Sequence, residues 1–193
     1  MSFSFGVVFL LAAALTGPAA TAAPGSSGVY LAAEDYSRGV FTEGGSCQAS
    51  FKVALHDVVN KPYIDVARGS AKKRYAKTEV FGVRLCDGYD YRLVSSHLYR
   101  ILEAKALYIY GVERPVSQGK GFRVVPAYYF SSGARGEVLP LTLDNLHRVY
   151  ADNHRFIDSL DRVWERDLAE YDAFHQQFKV GRLLAESTIA SEP

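Results

Sequence analysis

EVFGVRLCDGYDYRLV, residues 79–94, has an Asp-Gly pair between two alternating segments and predicts a β-hairpin. A two-residue Asp87-Gly88 turn would set apolar residues opposite charged ones, which makes a poor core face. A three-residue loop, with Gly88 left-handed as a bulge, instead sets Arg84 opposite Asp90. It also aligns three apolar pairs on the other face: Leu85 with Tyr89, Val83 with Tyr91, and Phe81 with Leu93. The pattern therefore predicts the bulged hairpin.

The N-terminus has the pattern of a cleaved signal peptide. Residues 7–15 (VVFLLAAAL) form an apolar run that is short for a membrane span, and small residues follow it. The ATA triplet at residues 20–22 fits a cleavage site, which assigns residues 1–22 to the leader and residues 23–193 to the mature chain. One departure from the pattern is that no Lys or Arg precedes the apolar run. The protein is predicted to be exported, to the periplasm or outside the cell, and not to span a membrane once the leader is removed.

The hairpin loop contains Cys86, and the only other cysteine of the chain is Cys47. Reactive cysteines usually lie at a helix N-terminus or in an electropositive pocket, and a hairpin tip is neither. Export makes a disulfide between the two cysteines plausible. Such a bridge would close a loop of about 40 residues, which the chain-entropy model values at ~4 kcal/mol. The sequence leaves open whether the two thiols are free or paired.

The pattern of the mature chain changes near residue 140. Over residues 28–130, short segments rich in Tyr and Val alternate with turn residues, which predicts an antiparallel meander of about six to eight strands. Over residues 142–187, apolar residues recur at spacings of three and four, and this part is predicted to be helical. The fold class is therefore α+β: a single domain in which a curved sheet, or a partly closed barrel, packs one face against C-terminal helices.

Two details of the helical part are predicted as well. Thr142 is suited to cap the first helix and Asp152 the second, because both side chains accept hydrogen bonds from free backbone N–H groups. Two apolar stripes are expected to face the sheet; the first comprises Phe156, Ile157, Leu160, Val163 and Trp164, and the second Leu168, Tyr171, Phe174 and Phe178.

Charges nearly cancel, because 22 basic residues face 21 acidic ones, so composition argues against nucleic acid as a partner. The densest charged run is RGSAKKRYAK, residues 68–77, which has five basic residues and no acidic one. These five residues form a candidate anion-contact strip: Arg68, Lys72, Lys73, Arg74 and Lys77. The alternative is a solvated turn and edge strand, in which lysines prevent pairing between sheet edges. The 13 tyrosines offer an aromatic surface, although strand propensity alone also favours them.

No catalytic, metal or cofactor motif is expected. The chain has no G-x-S-x-G, G-x-G-x-x-G or P-loop sequence, and His147 and His154 would lie about 10.5 Å apart along a helix, too far for one metal ion. Sequence neighbours such as His56-Asp57 point to opposite faces of a strand. What remains is a hydrolase-like site assembled only in the fold, from His56, Asp65, Cys86 or His97.

Three segments together resemble a loose group of uncharacterised exported bacterial proteins. The segments are GVYLAAEDYSRG (28–39), KTEVFGVRLCDGYDYRL (77–93) and DNLHRVYADNHRFIDSLD (144–161). The resemblance implies a β-rich exported module with C-terminal helices. It implies no active residues, since that group has no assigned function.

The function expected from the sequence is that of a non-enzymatic binding or envelope-associated module. Its partner would be a protein, a glycan or another envelope component. The alternative is a hydrolase-like enzyme, and the two hypotheses differ in a structural consequence. The enzyme requires at least two of His56, Asp65, Cys86 and His97 to meet within hydrogen-bonding reach in a cleft.

Overall fold

The computed structural model describes residues 20–21, 25–48, 51–56, 61–119 and 121–189. The predicted leader lies outside these residues apart from Ala20–Thr21, so its cleavage remains a prediction. The strands are β1 (Ala20–Thr21), β2 (Ser26–Tyr30), β3 (Val40–Phe41), β4 (Glu43–Ser46), β5 (Phe51–Ala54), β6 (Tyr63–Arg68), β7 (Ala71–Ala76), β8 (Gly82–Arg84), β9 (Asp90–Val94), β10 (His97–Ala104), β11 (Tyr108–Gln118), β12 (Gly121–Ser131), β13 (Leu139–Pro140), β14 (Tyr171–Asp172) and β15 (Gln177–Phe178). The α-helices are α1 (Ala33–Ser37), α2 (Leu143–Val149), α3 (His154–Leu160) and α4 (Lys179–Ile189). Short 3₁₀ turns cover Lys77–Glu79 and Glu165–Asp167.

The main sheet has eight strands in the order β13-β12-β11-β10-β9-β8-β2-β4, and every described pairing in it is antiparallel. Strands β8 to β13 follow each other as a meander because the connections between them are short. Strands β2 and β4 extend the sheet beyond β8. The α+β class and the antiparallel sheet are confirmed. The sheet is open, so the partly closed barrel is not formed.

The predicted single meander is interrupted by strands β5, β6 and β7. They form a separate three-stranded antiparallel sheet. This small sheet packs on the main sheet around a hydrophobic cluster of Val29, Phe51, Ile64, Val66, Tyr75, Val80, Val83 and Leu93. Alternation explains the packing, because Ile64 and Val66 point to the same side of β6 while Asp65 points away from them.

The hairpin of β8 and β9 has the predicted bulged register. Arg84 opposes Asp90 and Val83 opposes Tyr91, and the Leu85 N–H donates to the Tyr89 carbonyl at 3.1 Å. Gly88 has φ +85°, the left-handed conformation that the bulge requires. The predicted apolar face is only partly correct. Phe81 lies outside the strand and packs on Tyr36 instead, with ring centroids 5.5 Å apart, and Tyr89 is exposed.

The C-terminal helices cover the other end of the main sheet around a second cluster. Its buried members are Leu107, Ile109, Phe130, Leu141, Leu146, Phe156, Leu160, Leu168, Phe178, Val180 and Leu184. Thr142 caps α2 as predicted, accepting from the Asn145 N–H at 3.3 Å, whereas α3 is capped by Asn153, one residue after the predicted Asp152.

The predicted apolar stripes are interrupted after α3. Trp164 is 71% and Phe174 90% exposed, and residues 171–178 form the β14–β15 hairpin instead of a helix. The Asp172 side chain accepts hydrogen bonds from the N–H groups of Phe174 and His175, at 3.0 and 3.1 Å. Such a side-chain turn offers the backbone an alternative to the helix. Here the turn forms in place of the helix that the apolar spacing predicts.

Candidate functional site

The two cysteines form a disulfide. The sulfurs of Cys47 and Cys86 are 2.21 Å apart and their Cα atoms are 5.7 Å apart. The bridge joins the residue after β4 to the tip of the β8–β9 hairpin, where the bulged register had placed Cys86. Because both sulfurs are in the bridge, neither cysteine is a thiol nucleophile in this structure.

Most of the hydrolase-like set does not assemble. His97 begins β10, and its Nδ1 lies 3.1 Å from the carbonyl oxygen of Ser95. Ser95 and Ser96 have φ of +48° and +69°, as the two central residues of a type I′ hairpin turn do. Ser95-Ser96-His97 is thus a turn, and neither a serine nor Cys86 meets His97 as a nucleophile meets its base.

His56 and Asp65, however, are brought together. Asp65 opposes Ala54 at the end of β5, and His56 follows two residues later with φ +55°, so its ring reaches the carboxylate. The Asp65 Oδ2 atom lies 2.7 Å from His56 Nε2 and 2.9 Å from Lys72 Nζ. The other carboxylate oxygen, Oδ1, accepts a hydrogen bond from Arg74 Nε at 3.0 Å. The Asp65 side chain is only 4% exposed. The hydrogen bond from Arg74, with those from Lys72 and His56, holds the pKa of this carboxyl well below its usual range.

The rest of the basic strip is also engaged within the protein. Lys73 Nζ lies 2.6 Å from Glu43 Oε1, which also accepts from the Tyr75 hydroxyl. This contact with Glu43 raises the pKa of Lys73. Arg68 donates to the Gly44 carbonyl at 2.6 Å, and Lys77 is buried and has a partner. All five residues of the strip therefore have internal partners, and contact with an external anion remains an untested prediction.

Sequence reasoning missed a buried arginine on the opposite face of the main sheet. Arg92 donates to the hydroxyls of Tyr110 and Ser131 at 2.8 and 3.2 Å and to the Gly136 carbonyl at 2.9 Å. Its guanidinium also lies 5.4 Å from the centroid of the Phe81 ring. Arg92 thereby ties the loop after β12 to the middle of the sheet. We interpret it as structural, because its donors are directed at protein acceptors.

Sequence reasoning also missed a groove of about 480 Å³ on the face of the main sheet that carries both hydrophobic clusters. Strand register builds it. One transverse row runs through Tyr91, Arg100, Gly111 and Tyr128, each opposite the next on neighbouring strands. Gly111 lowers the floor between two long side chains, and a Cβ there would lie 3.0 Å from Leu102. Hereafter, "the groove" is this row with the adjoining lining residues Leu98, Leu102, Val112, Glu113 and Pro126.

Among the described residues, no ion pair is formed by either charged side chain of the groove, Arg100 or Glu113. The Arg100 guanidinium stacks on the Tyr89 ring, 3.3 Å from its centroid, and its buried Nε has no hydrogen-bond partner among the described residues. Glu113 also lines the groove, and no ion pair joins it to Arg100 in the described part of the chain. Burial, together with a hydrogen bond to Asp87, raises the pKa of Tyr91 to about 12, so its hydroxyl stays protonated. The groove is thus lined by the Arg100 guanidinium and the Glu113 carboxylate as well as by apolar side chains.

A projecting two-stranded ribbon continues the groove. Strand β11 pairs with β10 only over Tyr108–Gly111, and β12 pairs with β13 only at Tyr129 and Phe130. Within the described part of the chain, residues 112–118 and 121–127 therefore pair only with each other, and we call this ribbon the arm. It extends about 24 Å beyond the sheet.

One face of the arm is an apolar stripe on the same side as the groove. Beyond the Glu113–Pro126 pair, the pairs Pro115–Val124 and Ser117–Phe122 follow at the two-residue period that keeps side chains on one face. Phe122 is 82% and Val124 58% exposed. Two sequence signals could have indicated this region: the isolated glycine in YIYGVER and the unusual length of both strands.

Comparison of the chain with family models, with curated proteins and with solved structures finds no match in any of the three. In the described residues, no helix has the length and apolar character needed to cross a membrane. Likewise, the described part of the chain contains no group of three or more His, Cys, Asp or Glu side chains suited to a metal ion. The candidate site therefore rests on its own geometry.

Proposed function

We propose that the protein is an exported, non-enzymatic binding module whose groove holds an extended segment of a partner protein. The observation that carries the proposal is the transverse row of Tyr91, Arg100, Gly111 and Tyr128, in which the buried Nε of Arg100 has no acceptor among the described residues. An unsatisfied buried donor costs free energy, and a ligand acceptor would remove that cost once the Arg100 side chain turns its Nε toward the groove. The Cys47–Cys86 disulfide is compatible with an oxidising compartment.

The chemistry of the groove specifies the kind of segment. Its apolar floor favours small or apolar side chains, since buried apolar surface is the main source of affinity. Arg100 supplies a donor for a carboxylate or carbonyl, while Glu113 accepts from an amine or amide N–H. A peptide backbone carries both kinds of group at short spacing, whereas a purely apolar ligand would leave Arg100 and Glu113 unused. A protein segment therefore fits better than a lipid chain.

A display selection tests the proposal. A random peptide library is selected on the immobilised mature chain, and the enriched peptides are measured by calorimetry against Arg100→Gln. We expect the substitution to weaken binding at least about tenfold, which corresponds to ~1.4 kcal/mol. Arg114→Gln is the matched control, because Arg114 also lies over a tyrosine ring, at 5.3 Å from the centroid of Tyr129, but on the opposite face of the arm. Failure to enrich peptides, or equal losses in both variants, would reject the groove as the binding site.

The His56–Asp65 pair supports a second candidate function of a different class, a hydrolase-like enzyme. The 2.7 Å contact resembles the base and orienting carboxylate of a catalytic couple. Against this role, Lys72 and Arg74 also bind Asp65, which is typical of a structural ion cluster. Hydrolysis of p-nitrophenyl acetate by the mature chain and by His56→Gln decides between the two roles. A catalytic couple predicts turnover above the buffer blank that the substitution abolishes, and a rate equal to the blank excludes it for this ester.

A further inference from the structure

We propose that the segment seated in the groove is the arm of a second copy of this chain, so that two copies exchange arms in a two-fold dimer. This inference rests on the proposed function and names its partner. It starts from the arm itself, which carries Phe122 and Val124 into solvent on the face that leads to the groove. Large apolar side chains grouped on one projecting face are typical of interaction surfaces.

The edges of the arm favour packing through its face. Both of its long edges are unpaired, but Pro115 and Pro126 each remove a backbone N–H from the strands. A further strand added along either edge would therefore lose one ladder hydrogen bond at the proline. Face-to-face stacking of two arms, at the ~10 Å spacing of packed sheets, uses the exposed side chains instead.

Register shows that stripe and groove are complementary to each other in a second copy. Along β11, the row of Gly111 and the row of Ser117 lie six residues apart, which is about 20 Å. When two arms stack antiparallel about a two-fold axis midway between these rows, the Ser117–Phe122 pair of each copy lies over the Gly111–Tyr128 pair of the other. The same operation sets the Pro115–Val124 pair over the Glu113–Pro126 pair. A groove of about 480 Å³ is large enough for a phenyl ring.

The arrangement also explains why assembly would stop at two copies. In a two-fold interface the same patch serves both partners. Each stripe and each groove is therefore used once, and no such surface is left free to bind a third copy. Two arms of about 24 Å give an interface at the small end of the specific range. The dimer is therefore expected to be weak and transient.

Sedimentation velocity of the mature chain across the micromolar range tests the dimer. We expect a monomer–dimer equilibrium that Val124→Ser shifts at least tenfold toward monomer. Val116→Ser is the matched control, since Val116 lies on the same arm, is 47% exposed and points to the opposite face. A monomeric wild type, or equal shifts in the two variants, overturns the proposal.

A mixing experiment identifies the contact between Phe122 and the groove. Phe122→Ser removes the phenyl ring at the end, or tip, of the arm and keeps the groove. Gly111→Val fills the groove and keeps this tip. Each variant alone should be at least tenfold weaker as a dimer. An equimolar mixture, with one variant fluorescently labelled, should form a tighter heterodimer because one intact contact is restored. If the mixture associates no better than either variant, tips contact each other or another surface, and the proposal is wrong.

Two controls keep the outcomes distinct. If thermal unfolding shows that Gly111→Val is not folded, Glu113→Tyr replaces it, because this exposed position blocks the groove without changing a buried side chain. Peptide binding by the monomeric Phe122→Ser variant is measured in parallel. A monomeric wild type whose groove still binds selected peptides in an Arg100-dependent way rejects the second copy and retains the proposed function. Absence of both dimer and peptide binding rejects both.

Discussion

The small sheet and the arm differ in how fully the rest of the protein satisfies their side chains. On the small sheet, Asp65 is surrounded by His56, Lys72 and Arg74. On the arm, Phe122 is exposed, and at its base Arg100 Nε has no hydrogen-bond partner in the part of the chain that the structure describes. The comparison favours the arm over the densest charge run as the candidate binding surface. The region with unmet hydrogen bonds and uncovered apolar surface is the better candidate, since a ligand can improve only what the fold leaves unsatisfied.

The largest expected effect is a loss of unfolding free energy when the disulfide around the small sheet is removed. Replacing Cys47 and Cys86 together with serine removes a bridge between residues 39 positions apart, which the loop-entropy model values at ~4 kcal/mol of unfolding free energy. Urea denaturation of the variant and the oxidised wild type measures the loss. Reduced wild type should match the variant. A loss below ~1 kcal/mol would show that the bridge does not limit the unfolded chain as that model requires.

A second prediction concerns the pH dependence of the ion cluster. The folded pKa of Asp65 is lowered, chiefly by its hydrogen bond from Arg74, so its contribution is present above the unfolded value of about 3.9 and is lost as pH falls toward the folded value. Unfolding free energy should therefore fall more steeply below about pH 4 in the wild type than in Asp65→Asn. Urea melts at successive pH values measure both slopes.

Glu103 supplies the contrasting case in the same experiment. It is buried near α4, accepts one hydrogen bond from the Phe178 N–H at 2.8 Å, and has its pKa raised by burial. Its contribution has the opposite sign, because stability decreases as pH rises through its unfolded value of about 4.3. Glu103→Gln should remove that decrease and leave the acid slope of Asp65 in place. Identical acid slopes in the wild type and Asp65→Asn would contradict the role given to the cluster.

The smallest expected effect on the unfolding free energy is that of a substitution on the arm. Val124→Ser should change the unfolding free energy of the monomer by no more than about 0.5 kcal/mol, because the side chain is mostly exposed. Leu93→Ala, in the cluster beneath the small sheet, should cost about 2–5 kcal/mol by the usual cavity effect. Thermal or urea unfolding at low protein concentration compares the two. A large loss in Val124→Ser would mean that the arm is part of the folding core.

Local pattern predicted the local structure well. The register of the β8–β9 hairpin followed from matching apolar residues across a turn, and Gly88 followed from the backbone conformation that turn needs. Thr142 was identified as a cap from its position before an apolar-periodic segment. The disulfide, which the sequence left open, is formed because the fold brings Cys47 to the hairpin tip.

The candidate site could not be predicted in the same way, because its geometry depends on pairings distant in the chain. The role of Gly111 as the floor of the groove can be recognised only when Arg100 and Tyr128 are known to lie on either side of it. The partners of Arg92 lie as far as 44 residues along the sequence. The prediction of a helix through Phe174 failed for the converse reason, since Asp172 forms a local turn that the apolar spacing does not reveal.

The position of the disulfide has a consequence for local opening. Strands β5 to β7 all lie between Cys47 and Cys86, so the bridge fastens the two ends of the segment that makes the small sheet. We expect this segment to open as one cooperative unit in native-state hydrogen exchange, because its strands share one hydrophobic cluster and the bridge holds its ends together. When it opens, only a closed loop is released, and the entropic cost of its return is correspondingly small. The small sheet is in this sense a tethered segment, and its opening would uncover Val83 and Leu93 of the meander, which share its hydrophobic cluster.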